Sequence, residues 1–293
     1  MRYRAMTNRT KLKIMELRLI DTGYFRADGG AMFGAIPKSA WRRRYPCDEE
    51  NGCTLATRSL LVRTDEGRII LIDNGAGDKQ LKQLSYYRFF GQVDLVEALN
   101  RIGIYREEVT DVVLTHLHFD HCGYTTQLDK RTGSLRPAFP NATHWVGRWQ
   151  WENFLHPNAL ERDSYFPENM LAIAEAGQLR LVDANELLAT DIELRLYDGH
   201  TPGQLVPYIY TPECAYVFAG DVIPLVACVS PEWISAYDTY PVTSYAEKLR
   251  LLEEAARERQ VIIYCHDAYT RCSTVRKVDN FFRKDKTVKL ISV

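Results

Sequence analysis

One seven-residue stretch constrains this chain more than any other: Thr115-His116-Leu117-His118-Phe119-Asp120-His121. It follows directly on Val112–Leu114, an apolar run of the length expected for a short buried strand. Four titratable side chains in six positions at such a place would be costly to desolvate without a cation to compensate them. A lone histidine on an apolar face is an ordinary core residue, and His144 and His156 are read that way. The 116–121 group resists that reading. Three more groups repeat the arrangement, each just past a strand: His200 after Ile192–Tyr197, Asp221 after Ala215–Phe218, and His266 after Val261–Tyr264. Loops at strand ends are where a rigid scaffold presents functional side chains. Imidazole with carboxylate suits zinc, manganese or iron. Five histidines and two aspartates exceed the needs of one tetrahedral ion and match two ions that share a carboxylate.

The rest of the chain narrows the classes. Thirty-seven basic residues against 38 acidic ones give a formal charge of −1, which provides no global field for nucleic acid or anionic lipid. Arg42-Arg43-Arg44 and the basic cluster at 276–286 read as solvated surface. No apolar run approaches the ~20 residues of a membrane span. Five basic residues, no acid and no apolar run mark the first 13 positions, so a secretory signal is not expected there. Residues 1–14 are read as a flexible basic extension and 15–293 as one domain. Seven cysteines without a CxxC pattern suggest a reducing, cytoplasmic setting, with the thiols packed as small apolar groups. The sequon at Asn141 is then idle. No G-x-S-x-G elbow, P-loop or H-E-x-x-H occurs, and Gly75-Ala76-Gly77 reads as a turn.

Periodicity predicts strands at Leu12–Ile20, Leu55–Val62 and Arg68–Ile72, the last two flanking the turn Asp65-Glu66-Gly67. A glycine-rich loop, Asp28–Gly34, places Met32 and Phe33 as candidate pocket residues. Asp94–Ile102 reads as a helix that stops at Gly103. Ser244-x-x-Glu247 reads as a capping box opening a helix to about Arg259. A basic helix is predicted from about Thr270 to Lys284. The aromatic-rich stretch 141–180 offers Trp149 as a pocket wall. Strands clustered ahead of a helix in each half argue for an α+β fold rather than a parallel doubly wound sheet.

The 116–121 stretch resembles the H-x-H-x-D-H signature of the metallo-β-lactamase superfamily. The resemblance runs in order over roughly residues 16–270: Leu71-Ile72-Asp73-Asn74-Gly75, then His116–His121, His200, Asp221 and His266. It implies a four-layer αβ/βα sandwich with the metals along one edge. It further implies that His116, His118 and His200 hold one ion, that Asp120, His121 and His266 hold a second, and that Asp221 bridges them. Asp73 and Gln204 would lie behind the ligands. The pattern is similar to the quorum-quenching lactonase and organophosphate hydrolase branch. That implies a dinuclear hydrolase, with zinc ahead of manganese or iron, acting on a small ester, lactone or phosphotriester, with Asp120 shuttling a proton. Substrate contacts would fall to Met32, Phe33, Trp149 and Tyr237. The branch often carries histidine where Gln204 stands, and its acyl-homoserine lactonases carry tyrosine where Pro224 stands. Tyr237 or Tyr240 would have to supply that hydroxyl. The rival readings are a phosphodiesterase of the ribonuclease Z kind, a mononuclear iron oxygenase resembling the persulfide dioxygenases, and a non-catalytic metal-binding protein. Neither a nucleic-acid nor a membrane partner is expected, and a homodimer is compatible with the chain.

Overall fold

The computed structural model describes residues 15–293. The basic extension inferred for residues 1–14 lies outside them. Sixteen strands build two seven-stranded mixed sheets and a small hairpin. The first sheet draws on β1 (Glu16–Asp28), β2 (Gly52–Arg63), β3 (Ile69–Ile72) and β4 (Asp111–Val113). The hairpin is β5 (Thr126–Leu128) with β6 (Leu135–Pro137), and β7 (Thr143–Gly147) and β8 (Leu179–Val182) return to the first sheet. The second sheet comprises β9 (Glu186–Ala189), β10 (Ile192–Tyr197), β11 (Gln204–Tyr210), β12 (Ala215–Phe218), β13 (Val261–Ile263), β14 (Cys272–Val278) and β15 (Phe281–Thr287). The last strand, β16 (Ile291–Ser292), crosses back to pair with β1, so the two ends of the described chain close the first sheet together.

Alternating burial explains the layering. Leu17, Leu19, Leu60, Val62, Ile70 and Ile72 meet Leu194, Leu205, Ile209, Phe218 and Ile263 in a core between the sheets. The opposite face of the first sheet, with Leu61, Leu71, Val112 and Val146, is covered by α3 (Leu95–Arg101), α5 (Arg148–Leu155) and α6 (Pro167–Glu175). The opposite face of the second sheet is covered by α1 (Gly29–Phe33), α2 (Lys38–Trp41) and the long α7 (Pro241–Glu258). Helix, sheet, sheet, helix is the four-layer sandwich that the resemblance implied.

Strand direction puts the chemistry at one edge. β3 and β4 are parallel, as are β12 and β13, and β10 runs with β12 because both are antiparallel to β11. Asp73, the 116–121 segment with its one-turn helix α4 (Phe119–Cys122), His200, Asp221 and His266 all follow the C-terminal ends of these strands. Backbone bonds lock the edges of the two sheets: Leu205 N–H donates to Thr115 O (2.7 Å) and Ala56 N–H to His266 O (2.9 Å).

Several local expectations are corrected. Asp28–Gly34 is not an open loop: Asp28 Oδ1 accepts from Gly30 N (2.6 Å) and Ala31 N (3.3 Å), which nucleates α1. The helix holding Ser244 starts earlier, at Pro241, so Glu247 does not cap it. Glu247 instead accepts from Asp198 N (3.0 Å) and Gly199 N (2.9 Å), pinning the loop that carries His200. The basic helix predicted over 270–284 is the hairpin β14–β15, turning at Asp279 with φ +54°. There Cys272, Ser273 and Val275 are buried against the rest of the second sheet, and the β-branched residues Thr274 and Val275 favour a strand. His156 lies exposed at the end of α5 rather than in the core.

His144 on β7 is fully buried, and burial pulls its imidazole down to about 4. Unfolded, a histidine titrates near ~6.5. Between those values the unfolded chain binds the extra proton, so stability falls as pH drops from about 6.5 towards 4. This one group should cost about 2 kcal/mol between pH 7 and pH 5. Urea unfolding of His144→Leu at both pH values should show that increment missing.

Candidate metal centre

The site assembles from histidines that each commit one ring nitrogen to a partner. Nδ1 of His121 donates to Asp73 Oδ2 (2.8 Å), Nε2 of His118 to Glu161 Oε2 (3.1 Å), and Nδ1 of His200 to Asp238 Oδ1 (2.8 Å). Nδ1 of His266 donates to Ala56 O (2.7 Å), and Nδ1 of His116 lies 3.1 Å from Thr115 Oγ1. Carboxylate and carbonyl oxygens only accept, and Thr115 Oγ1 gives its own proton to Asp73, so these contacts select the tautomer of each neutral ring and turn its second nitrogen toward the cluster.

Those second nitrogens converge. His116, His118 and His200 bring one donor atom each within 4.8 Å of the others; His121, Asp221, Cys265 and His266 do the same. Between the groups, Asp221 Oδ2 lies 3.5 Å from His200 Nε2, while Oδ1 lies 3.1 Å from His266 Nε2 and 3.4 Å from His121 Nε2. Asp120 Oδ2 is 3.5 Å from His266 Nε2 and 3.9 Å from His121 Nε2.

The donor chemistry fits divalent cations. His116 Nε2 is buried and has no hydrogen-bond partner, a costly arrangement unless something else takes its lone pair. Burial, aided by neighbouring imidazoles, lowers the His116 pKa well below the ordinary range, and burial lowers His118 as well. Burial would do the same to His121 and His266, but the carboxylates Asp120 and Asp221 outweigh it. They hold His121 well above the ordinary value and His266 at about 9. Burial alone would raise Asp221, yet His266, His121 and His200 pull it well below the usual carboxylate range. A cation competes with protons for the same lone pairs and satisfies the same carboxylates. Cys265 is a poorer candidate ligand. Its thiol donates towards Gly220 O and Asp221 Oδ1, both at 3.2 Å, and burial pushes its pKa well above the usual thiol range.

Asp73 sits at the hub behind the ligands. It accepts from Thr115 N (2.7 Å) and Thr115 Oγ1 (2.9 Å) as well as from His121, and takes a left-handed φ of +53°. Gln204 lies under the Asp221 loop, its Nε2 donating to Ala219 O (3.4 Å). Sequence reasoning missed Glu161 and Asp238, which hold His118 and His200 from distant loops. Neither neighbours a recognisable motif, so only the fold reveals them. Glu161 is itself fixed by Tyr165 OH (2.9 Å), Thr201 Oγ1 (2.8 Å) and Asn153 Nδ2 (2.8 Å).

A cleft opens over the cluster. Met32 and Tyr237 line it, as do Phe25, Leu55, Tyr87 and Phe119. Phe33 does not reach the cleft: it is fully buried, stacked on Trp41 with ring centroids 5.2 Å apart. Trp149 is 65% exposed, because Gln150, Trp151 and Phe154 occupy the inward face of α5. Tyr240 precedes α7 and is also outside the lining.

The profile of the metallo-beta-lactamase superfamily matches residues 54–266, a span that ends on the last of these histidines, and the chain belongs to that superfamily. It is similar to the N-acyl homoserine lactonase of Bacillus thuringiensis, with 25% identity over 224 residues, covering 71% of this chain and 79% of that one. A corresponding lactonase of Bacillus cereus is 23% identical over the same extent. A probable metal-dependent hydrolase from Staphylococcus aureus has a similar structure, with a TM-score of 0.84 and 26% identity over 95% of this chain and 100% of that one. A dizinc quorum-quenching lactonase shares the fold at a TM-score of 0.75 and 21% identity, covering 96% of this chain and 97% of that one.

Removing a group that orients a metal-binding histidine typically costs 10- to 100-fold in metal affinity. Asp238→Ala should therefore weaken divalent-metal binding by about 10- to 100-fold, read by competition with a chromophoric chelator.

Proposed function

We propose that this protein is a hydrolase working with two divalent ions, zinc foremost, on a neutral lactone, carboxylic ester or phosphotriester. The observation that carries this reading is Asp221, whose two oxygens reach toward both histidine groups at 3.1–3.5 Å. In this reading His116, His118 and His200 hold one ion, Asp120, His121 and His266 the other, and Asp221 both. Such a pair supplies a hydroxide nucleophile at neutral pH and an electrophile for the substrate's oxygen. An all-nitrogen and -oxygen donor set of this kind suits zinc.

The chain's own groups supply the rest. Asp120 lines the cleft, where its carboxyl can pass a proton to the leaving oxygen. The phenol of Tyr237, across the cleft, can hold the substrate's polar end, a role open because Pro224 offers no hydroxyl. Phe25, Met32, Leu55 and Phe119 form an apolar wall for an acyl or alkyl group. The named activity of the Bacillus relatives supports a lactone among the candidates.

Charge separates this reading from a nuclease. Four carboxylates line the cleft, from Asp120, Glu161, Asp221 and Asp238, and no lysine or arginine among the described residues does. Two divalent ions would offset those carboxylates, so what disfavours a nucleic acid is the lack of a lysine or arginine beside them to hold its flanking phosphates. A mononuclear oxygenase would leave Asp120, His121 and His266 without a task.

Protein purified without added metal or chelator should carry about two equivalents of divalent metal. Chelation should abolish turnover, and zinc or manganese should restore it. Asp120→Asn should lower kcat by about 10²- to 10⁴-fold with an unchanged circular dichroism spectrum. Full activity in the chelated protein or in the variant would reject the assignment.

The lack of a lysine or arginine among the described residues of the cleft lining makes a separate prediction. A neutral phosphotriester should exceed the matched anionic diester in kcat/KM by more than about tenfold. Ser164→Arg, at a lining position away from the proposed ligands, should narrow that ratio.

A further inference from the structure

Cys47 and Cys53 oppose each other across an isolated antiparallel bridge at the start of β2. Asp48 N–H donates to Gly52 O (3.1 Å), so the cysteines, one position further out on each arm, form a non-hydrogen-bonded pair. Pairs of that kind hold their α-carbons about 4.5 Å apart. Disulfides span about 4.4–6.8 Å between α-carbons. Among the described residues, no other two cysteines are strand partners.

The intervening turn is built to keep this register. Asp48 Oδ1 accepts from Gly52 N (2.6 Å), Asn51 N donates to Asp48 O (3.3 Å), and Asn51 adopts a left-handed φ of +68°. On its far side Cys53 pairs with Ala27 of β1, which fixes it from both directions. The two thiols differ in access. Cys53 is fully buried, and burial pushes its pKa up to about 12, so it stays protonated. Cys47 is half-buried and lines a shallow surface hollow with Lys38, Arg42, Pro46, Asp48 and Glu49, where a small reagent can reach it.

We infer that Cys47 and Cys53 form a thiol–disulfide site, in which Cys47 takes up a small external disulfide such as oxidised glutathione and Cys53 resolves it. The Cys47 thiolate attacks one sulfur of the external disulfide, forming a mixed disulfide and releasing one glutathione. Cys53 then gives up its proton and attacks the Cys47 sulfur, expelling the second glutathione. Two protein thiols are oxidised to one disulfide, one external disulfide is reduced to two thiols, and the two protons pass to the released thiolates. Ala27, the strand partner of Cys53, and Leu55 both line the cleft, so the crosslink would lie against its wall.

The reduced full-length protein, freed of reductant and treated with oxidised glutathione, provides the test. Trypsin releases both cysteines in one peptide, Tyr45–Arg58, which contains no internal lysine or arginine. That peptide should be about 2 Da lighter and closed to alkylation at both thiols until dithiothreitol is added. Cys53→Ala should stop at a glutathione adduct of about 305 Da on Cys47, and Cys47→Ser should give neither product at this peptide. Neither cysteine belongs to the proposed metal centre, so metal content should stay unchanged in both variants and report that they have folded. The inference is overturned if the wild-type protein stops at the adduct, if Cys47 remains fully open to alkylation, or if the bridge joins other cysteines.

Discussion

Five buried imidazoles and two aspartates gathered at one sheet edge pose an electrostatic problem that the surrounding structure is arranged to solve. Imidazoles crowded out of water disfavour one another's charge, which is why His116 falls well below its ordinary pKa. Asp221, placed between the groups, draws the opposite response from His121 and His266. A pair of cations is the arrangement that satisfies the neutral lone pairs and the carboxylates together. Without fixed tautomers the lone pairs would not converge, so Asp73, Glu161, Asp238 and the Ala56 carbonyl matter as much as the rings they hold.

Holding five loops in register is a task for the scaffold, and buried charges in two places carry it out. Arg58, in the centre of β2, reaches across to the second sheet. It pairs with Asp21 (2.6 Å) and donates to the carbonyls of Tyr264 and Asp267, which bracket Cys265 and His266. From the other side, α7 supplies Glu247 to the backbone before His200 and the buried Lys248 Nζ to Trp233 O (2.7 Å), at the head of the loop bearing Tyr237 and Asp238. Apart from the Arg58–Asp21 pair, which joins neighbouring strands of the first sheet, each contact links a strand or helix to a loop. That is the geometry needed to keep ligand atoms in place while the cleft above stays open.

Much of this was legible in the chain because burial and chemistry write themselves into local patterns. The strands flanking Asp65-Glu66-Gly67 and the helix after Asp94 declare themselves through spacing, and the ordered series from Asp73 to His266 through its resemblance to a known family. Legibility ended where the deciding contact was distant. Glu161 and Asp238 look like any surface acids until the fold carries them to His118 and His200. Phe33 and Met32 are adjacent in sequence, yet the cap at Asp28 turns one into the core beside Trp41 and the other toward the cleft. The 270–284 segment misled because its basic residues are spaced as on a helix face. What decides its conformation is pairing at the end of the second sheet, with Val275 and Phe282 buried and Arg276 opposite Arg283 on the exposed face.

The two departures from the lactonase-like pattern have a structural account. Gln204 donates to Ala219 O and packs against Gly220, where a φ of +50° and the nearness of Thr115 leave no room for a side chain. An amide there supports the backbone that aims Asp221, a task that requires no titratable ring. At Pro224 the backbone carbonyl accepts from His266 N (3.1 Å) and so ties the loop of one proposed ligand to the loop of another, a bond that does not depend on the side chain there. Because proline carries no hydroxyl, one for the substrate would have to come from elsewhere. The 233–240 loop, anchored by Lys248 and by Ala236 N–H donating to Ala31 O (2.8 Å), carries Tyr237 to the cleft and Asp238 to His200 together. In the proposed reading, substrate recognition and ligand orientation would share this one loop, and a change that moves it would alter both at once.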